Sequence, residues 1–175
     1  KRNKHPVIIF GDCDIVMDPQ ELVNSINELN NFDVVSPYSS VLDLTPEETN
    51  YPFNMLPQIQ RAGRGENDNQ KINLCGGIVI FKAESIVKIG GWNEDFIGWG
   101  GEDDFQTIKV KKLGLTYKEM PYRCYHFWHN RDEADMSNYQ RTMNLLQQMS
   151  TLDASKVQMH VNATVGKIGT LNKYA

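Results

Sequence analysis

The chain is short of cysteine, of long apolar runs and of positive charge, and each shortage removes a class of protein. Three cysteines in 175 residues, an odd number, do not make the framework of bridges that staples small secreted domains. A reducing compartment is the simplest expectation. The longest apolar runs are four residues, as in Val7-Ile8-Ile9-Phe10, far below the ~20 that a membrane-spanning helix needs. Lys and Arg total 18 against 22 for Asp and Glu, a net charge of −4, which argues against a nucleic-acid binder working through a basic face. Internal repeats and low-complexity segments are lacking too. The opening Lys1–Pro6 has neither an initiator Met nor the form of a signal peptide, so the expectation is a fragment of a longer chain. What is present is ordinary. With 40% hydrophobic and 23% charged residues the chain can bury a core, and whole-chain disorder is ruled out.

Val7–Phe10 reads as a strand buried on both faces, closed by Gly11. Asp18-Pro19-Gln20-Glu21 supplies an N-cap, a Pro at the first helical position and an acid in the first turn, and Leu22, Val23, Ile26 and Leu29 follow at helical spacing; the pattern predicts a helix over 19–30. Val34-Val35 is a short strand. From Ser36 to Asn73 the text is polar and rich in Pro and Gly, and reads as a long lid or binding loop. Leu74–Phe81 is a strand with Gly76-Gly77 inside it, a bulge or a place where another molecule nears the backbone. Ala83–Ile89 and Glu102–Leu113 are helices, the second stopped by Gly114; Leu115–Tyr117 and Arg123–Trp128 are strands; Asn138–Met149 is a helix; the text from Thr151 shows no clear period. Strands alternating with helices indicate α/β. The expected organisation is a catalytic portion over residues 1–150, with 151–175 a tail belonging to the same domain or to a linker.

Three constellations carry chemistry. Asp12 and Asp14 flank Cys13 directly after the first strand, and two hard carboxylates at a strand's carboxyl end suit Mg²⁺ or Mn²⁺ shared with a diphosphate. Asp-x-Asp also occurs as a solvated turn, so the pair alone decides little. In Gly98-Trp99-Gly100-Gly101-Glu102-Asp103-Asp104, glycines flank a tryptophan and three acids open a helix, where the dipole favours the ionised form that a general base needs. A tryptophan hinged on glycines can stack on a sugar face. Finally, Cys124-Tyr125-His126-Phe127-Trp128-His129 holds two histidines near aromatics, which read equally as core residues or as ligands; with no second cysteine pair at finger spacing, structural zinc ranks low.

These three segments together resemble the catalytic half of metal-dependent nucleotide-sugar glycosyltransferases of the GT-A fold, nearest to the β-1,4-galactosyltransferase and chondroitin-polymerase-like group. The resemblance runs from about Val7 to Arg141 and is most specific at Gly98–Asp104. It implies an α/β fold, a three-layer α/β/α sandwich with a mixed sheet, lacking the N-terminal part that holds the nucleotide. It implies Asp14 as a ligand of Mn²⁺ (or Mg²⁺), with Asp12 beside it on the ribose or the metal. Asp103 becomes the general base, Glu102 and Asp104 position the acceptor sugar, and Gly76 and Gly77 support the acceptor site. Trp99, with Gly100 and Gly101, lies on a loop closing over donor and acceptor. The family places a metal-binding histidine after the last strand; the galactosyltransferase version favours His129 and the polymerase version His126. The implied reaction is inverting transfer of a hexose (Gal, GalNAc or similar) from a UDP-sugar donor to a saccharide acceptor, as in polysaccharide biosynthesis. The alternatives are a retaining N-acetylgalactosaminyltransferase-like enzyme and a non-catalytic sugar-binding domain. Neither nucleic acid nor a membrane span is implied. The compartment would be bacterial cytoplasm, or the Golgi lumen in a eukaryote.

Overall fold

The computed structural model describes residues 5–66, 72–130 and 137–165. In chain order the elements are β1 (Val7–Gly11), β2 (Ile15–Val16), α1 (Pro19–Asn27), β3 (Val34–Ser36), β4 (Ser40–Asp43), β5 (Ile78–Lys82), α2 (Ala83–Lys88), α3 (Glu102–Lys112), β6 (Tyr117–Glu119), β7 (Arg123–His126), α4 (Tyr139–Ser150) and α5 (Ala154–Val165). A larger sheet runs β1-β5-β3-β6 and a smaller one β2-β7-β4. Both are mixed: β5 is antiparallel to β1 and β3, β3 is parallel to β6, and β7 is antiparallel to β2 but parallel to β4.

Side chains alternate across a strand, and here each face meets helices. Val35 and Ile80 point to one side, where Leu29, Met120 and the α1 residues Leu22 and Ile26 cover them. Val34, Val79 and Phe81 point to the other, against Ile86, Ile89 and Val110 of the α2–α3 layer. The expected three-layer α/β arrangement with mixed strands is therefore what the chain forms. Helix α1 starts where the capping pattern predicts, with Asp18 Oδ1 accepting from the backbone N–H of Gln20 (2.8 Å) and Glu21 (3.1 Å).

Several expectations need correcting. β1 is not buried on both faces: it pairs with β5 alone among the described residues, and Ile9 is 43% exposed. A four-residue apolar run fits an edge strand as well as a central one. Within the presumed 36–73 loop lie β4 and two 3-10 segments, Glu48–Asn50 and Phe53–Gln58, with Leu42, Leu44 and Leu56 buried around Tyr125. Their apolar residues are spread between prolines and show no period. Gly76-Gly77 forms a turn before β5 rather than a bulge inside it. The last strand before α4 stops at His126, short of Trp128. Beyond Thr151 the chain forms α5, whose Val157 and Val161 are buried.

Candidate active site

One cavity of about 730 Å³ receives the ends of several elements: the β1–β2 turn, the end of β7, the turn before β5 and the N-terminus of α3. Asp12 and Asp14 occupy the β1–β2 turn, where the Asp12 N–H donates to the Gly77 carbonyl (3.1 Å) and the Asp14 carbonyl accepts from the Phe127 N–H (2.8 Å). Register then brings distant residues together. β2 pairs with β7 so that Ile15 faces His126, which sets Asp14 beside the chain leaving β7. Asp14 Oδ2 lies 3.4 Å from His126 Nε2 and 3.1 Å from His129 Nε2. One donor atom from each of the three falls within 4.8 Å of the others. The two rings meet edge to face, 5.4 Å apart at 86°.

A carboxylate oxygen and two imidazole nitrogens at this spacing fit a divalent cation, and the mixed set suits Mn²⁺ better than Mg²⁺, which takes oxygen ligands. Both rings face Asp14, so the geometry does not choose between His126 and His129. Asp12 stays outside the trio on the same cavity wall. Burial, followed by repulsion from Asp14, raises its carboxyl above the usual value, with His126 pulling the other way. Cys124 is buried away from the trio, and Cys13 is an exposed free thiol. Arg131 and Asp132, the end of the motif that pointed to His129, lie outside the described residues.

The three acids open α3 and line the same cavity. Asp103 packs by the Gly76 backbone, where a Cβ would stand 3.5 Å from its Oδ2. Burial first, then repulsion from Glu102, Asp12 and Asp104, lifts the Asp103 carboxyl from 3.8 to about 7. Asp104 accepts from Asn73 Nδ2 (2.8 Å), and Thr107 donates to the same Asn73, so the turn before β5 is tied to the first turns of α3. Glu102 Oε2 is buried with no hydrogen-bond partner among the described residues. Trp99, 43% exposed, stacks on Tyr139 of α4, centroids 5.6 Å apart at 21°. Gly100 faces the same ring, where a Cβ would come within 3.3 Å of Tyr139, and Gly101 N-caps α3.

Sequence reasoning missed three participants. Asp43, at the end of β4, accepts from both Nε and Nη2 of Arg64 (2.8 and 2.9 Å) and lies 3.0 Å from His126 Nδ1. Burial alone would raise its carboxyl, but Arg64 and His126 hold it below the usual value. Tyr38 donates to the Gly76 carbonyl (2.6 Å) and accepts from the Ile78 N–H (3.0 Å), fixing the glycine turn from beneath. No local pattern marks any of the three; only the parallel β4–β7 register could have found Asp43.

Asp103 and a trio able to hold a cation thus line one cavity, and sequence similarity relates the chain to glycosyltransferases. Residues 67–130 match the family described as the N-terminal domain of galactosyltransferase. The chain is also similar to β-1,4-galactosyltransferase 4 of Mus musculus, 35% identical over 116 residues that make up 62% of this chain and 33% of that protein. The Rattus norvegicus protein of the same name shows the same identity and coverage, and the Homo sapiens one is 33% identical over 79 residues, 43% of this chain and 22% of its own length. This chain thus spans a third or less of the curated relatives it matches. A solved structure described as "Crystal structure of GalNAc-T7 with UDP, GalNAc and Mn2+" aligns at TM-score 0.48 and 15% identity, covering 90% of this chain and 38% of that one. The resemblance to galactosyltransferase-like glycosyltransferases therefore holds. These relatives are mammalian and lend no support to a bacterial cytoplasmic setting. No described helix is long and apolar enough to cross a membrane.

Proposed function

We propose that this chain forms the metal- and acceptor-facing part of an inverting glycosyltransferase that moves a hexose, galactose or N-acetylgalactosamine, from a UDP-sugar to a saccharide hydroxyl. The observation that carries the reading is that Asp103 lines the same cavity as Asp14, His126 and His129. Asp14, His126 and His129 would hold a divalent ion, Mn²⁺ before Mg²⁺, which would supply positive charge to the departing diphosphate. Asp103 takes the proton of the acceptor hydroxyl onto a carboxylate oxygen. The acceptor oxygen bonds to the anomeric carbon as the bond to the diphosphate oxygen breaks, and UDP leaves with the electron pair. With Asp103 acting as the base and no side chain assigned as a nucleophile, the transfer is a single displacement, so an α-linked donor yields a β-linked product. Glu102, with its unpartnered oxygen, and Asp104 orient the acceptor; Trp99, on the loop with Gly100 and Gly101, offers a stacking face for a sugar; Gly76 and Gly77 line the cavity and support the acceptor site; Asp12 would touch the ribose or the ion. A Golgi-lumenal setting accords with mammalian relatives.

The test is calorimetric titration of UDP into the full-length protein with and without Mn²⁺, repeated on Asp14→Ala. Affinity should depend on Mn²⁺ and fall about tenfold or more in the variant only when Mn²⁺ is present. Equal binding by both proteins in Mn²⁺ overturns the metal assignment, and a product of retained anomeric configuration overturns inversion.

A further inference from the structure

We propose that Asp43, clamped by Arg64, is a positioning residue that sets the tautomer and ring orientation of His126 so that Nε2 is offered to the cation corner. The inference rests on the reading of Asp14, His126 and His129 as a cation site.

The backbone sets the adjacency. β4 and β7 run parallel with Asp43 opposite His126, and the Leu44 N–H donates to the His126 carbonyl at 2.9 Å. An ionised carboxylate only accepts hydrogen bonds, so the 3.0 Å contact from His126 Nδ1 to Asp43 Oδ1 requires the proton on Nδ1. In the neutral ring that leaves the lone pair on Nε2, which points at Asp14. His129 follows the same logic with a different acceptor: its Nδ1 lies 3.1 Å from the Asn130 carbonyl and its Nε2 3.1 Å from Asp14. Both rings therefore have Nδ1 engaged and Nε2 converging on one carboxylate. That is the arrangement a ligand pair needs.

The clamp on Asp43 is built in. Arg64 holds both carboxylate oxygens and is itself tied to Val41 by hydrogen bonds in each direction (2.9 and 2.8 Å). Gly63 permits that approach, since a Cβ there would stand 2.4 Å from the Val41 carbonyl oxygen. Arg61, paired with Glu48, donates to the Asp43 backbone carbonyl. Stability does not explain the arrangement: the Asp43 and Arg64 side chains are 51% and 42% exposed, and ion pairs so exposed contribute little to folding. A carboxylate behind a ligating histidine instead tunes metal affinity, and its loss costs ~10–100-fold.

The experiment is Mn²⁺ titration of the full-length protein followed by electron paramagnetic resonance, for wild type, Asp43→Ala, His126→Ala, the double variant and Asp14→Ala. Asp43→Ala should weaken Mn²⁺ binding ~10–100-fold with an unchanged melting temperature, and should add little in the His126→Ala background. Metal-free nitrogen NMR, read once the ring carries a single proton, should show that proton on His126 Nδ1 in wild type and a tautomer mixture in Asp43→Ala. If Asp14→Ala abolishes binding while Asp43→Ala leaves both affinity and tautomer as in wild type, the positioning role fails and the cation site stands. If the wild type binds no Mn²⁺, the cation site fails and the positioning role with it.

Discussion

Asp103 is held where burial and three neighbouring carboxylates oppose its charge, and that cost is what makes it useful. A carboxyl at about 7 is part-ionised near neutrality and basic enough to take a hydroxyl proton. kcat/KM should rise with pH along a limb centred near 7, and Asp103→Asn should lower transfer by ~10²–10⁴-fold with donor binding retained. The same group carries a stability signature. Its folded value lies above the usual 3.8, so the folded state binds the proton more tightly. That stability is present below about 4 and lost as pH rises through about 7. Wild type should therefore melt progressively lower between pH 5 and 8, and the Asn variant should flatten that decline. Identical pH dependence in both would mean that Asp103 is not the strained acid. Asp103 was legible as one of three acids following two glycines. The Asp43–Arg64–His126 chain was not, because its members lie 21 and 83 residues apart and share no periodic pattern.

The turn before β5 carries a steep local demand. Gly77 has φ +69°, and a Cβ there would stand 2.1 Å from the Tyr38 hydroxyl and 2.6 Å from Ile15 Cδ1. That hydroxyl is held by hydrogen bonds to the Gly76 carbonyl and the Ile78 N–H and cannot yield freely. Gly114, with φ +71°, has nothing within 4 Å of an added Cβ and isolates the backbone contribution. Gly77→Ala should destabilise the fold by ~3 kcal/mol or more and Gly114→Ala by ~1 kcal/mol, read as chemical-denaturation midpoints. Equal losses would show that the Tyr38 contact is immaterial. Elements with local signals, α1 and α3 above all, were legible because caps and helical spacing act within a few residues. β4 was not, because a four-residue strand among prolines has no period to read.

Across the whole molecule, α5 backs the helix that presents Asp103. Val157 and Val161 are fully buried, and His160 meets Phe105 of α3 edge to face at 5.6 Å. Val157→Ala should cost ~1–2 kcal/mol and lower the melting temperature by a few degrees, leaving KM for the donor unchanged where the protein is folded. A raised KM without a stability loss would place α5 in substrate binding instead. The text after Thr151 hid this helix because its apolar stripe is narrow and its other faces are polar.

The amino-acid sequence by itself determined the α/β class, the main helices, and the short stretches of acids, glycines and histidines from which the site is assembled. These follow from local physics: capping, side-chain period, and glycine where the chain must turn. Only the tertiary structure decided that both histidines face Asp14, that Asp43 stands behind one of them, that Asp103 loses enough solvent for its carboxyl to rise toward neutrality, and that Trp99 rests on Tyr139. Each of these is a distance or a burial between segments far apart in the chain. Such quantities are set by strand register and helix packing, which no local pattern encodes.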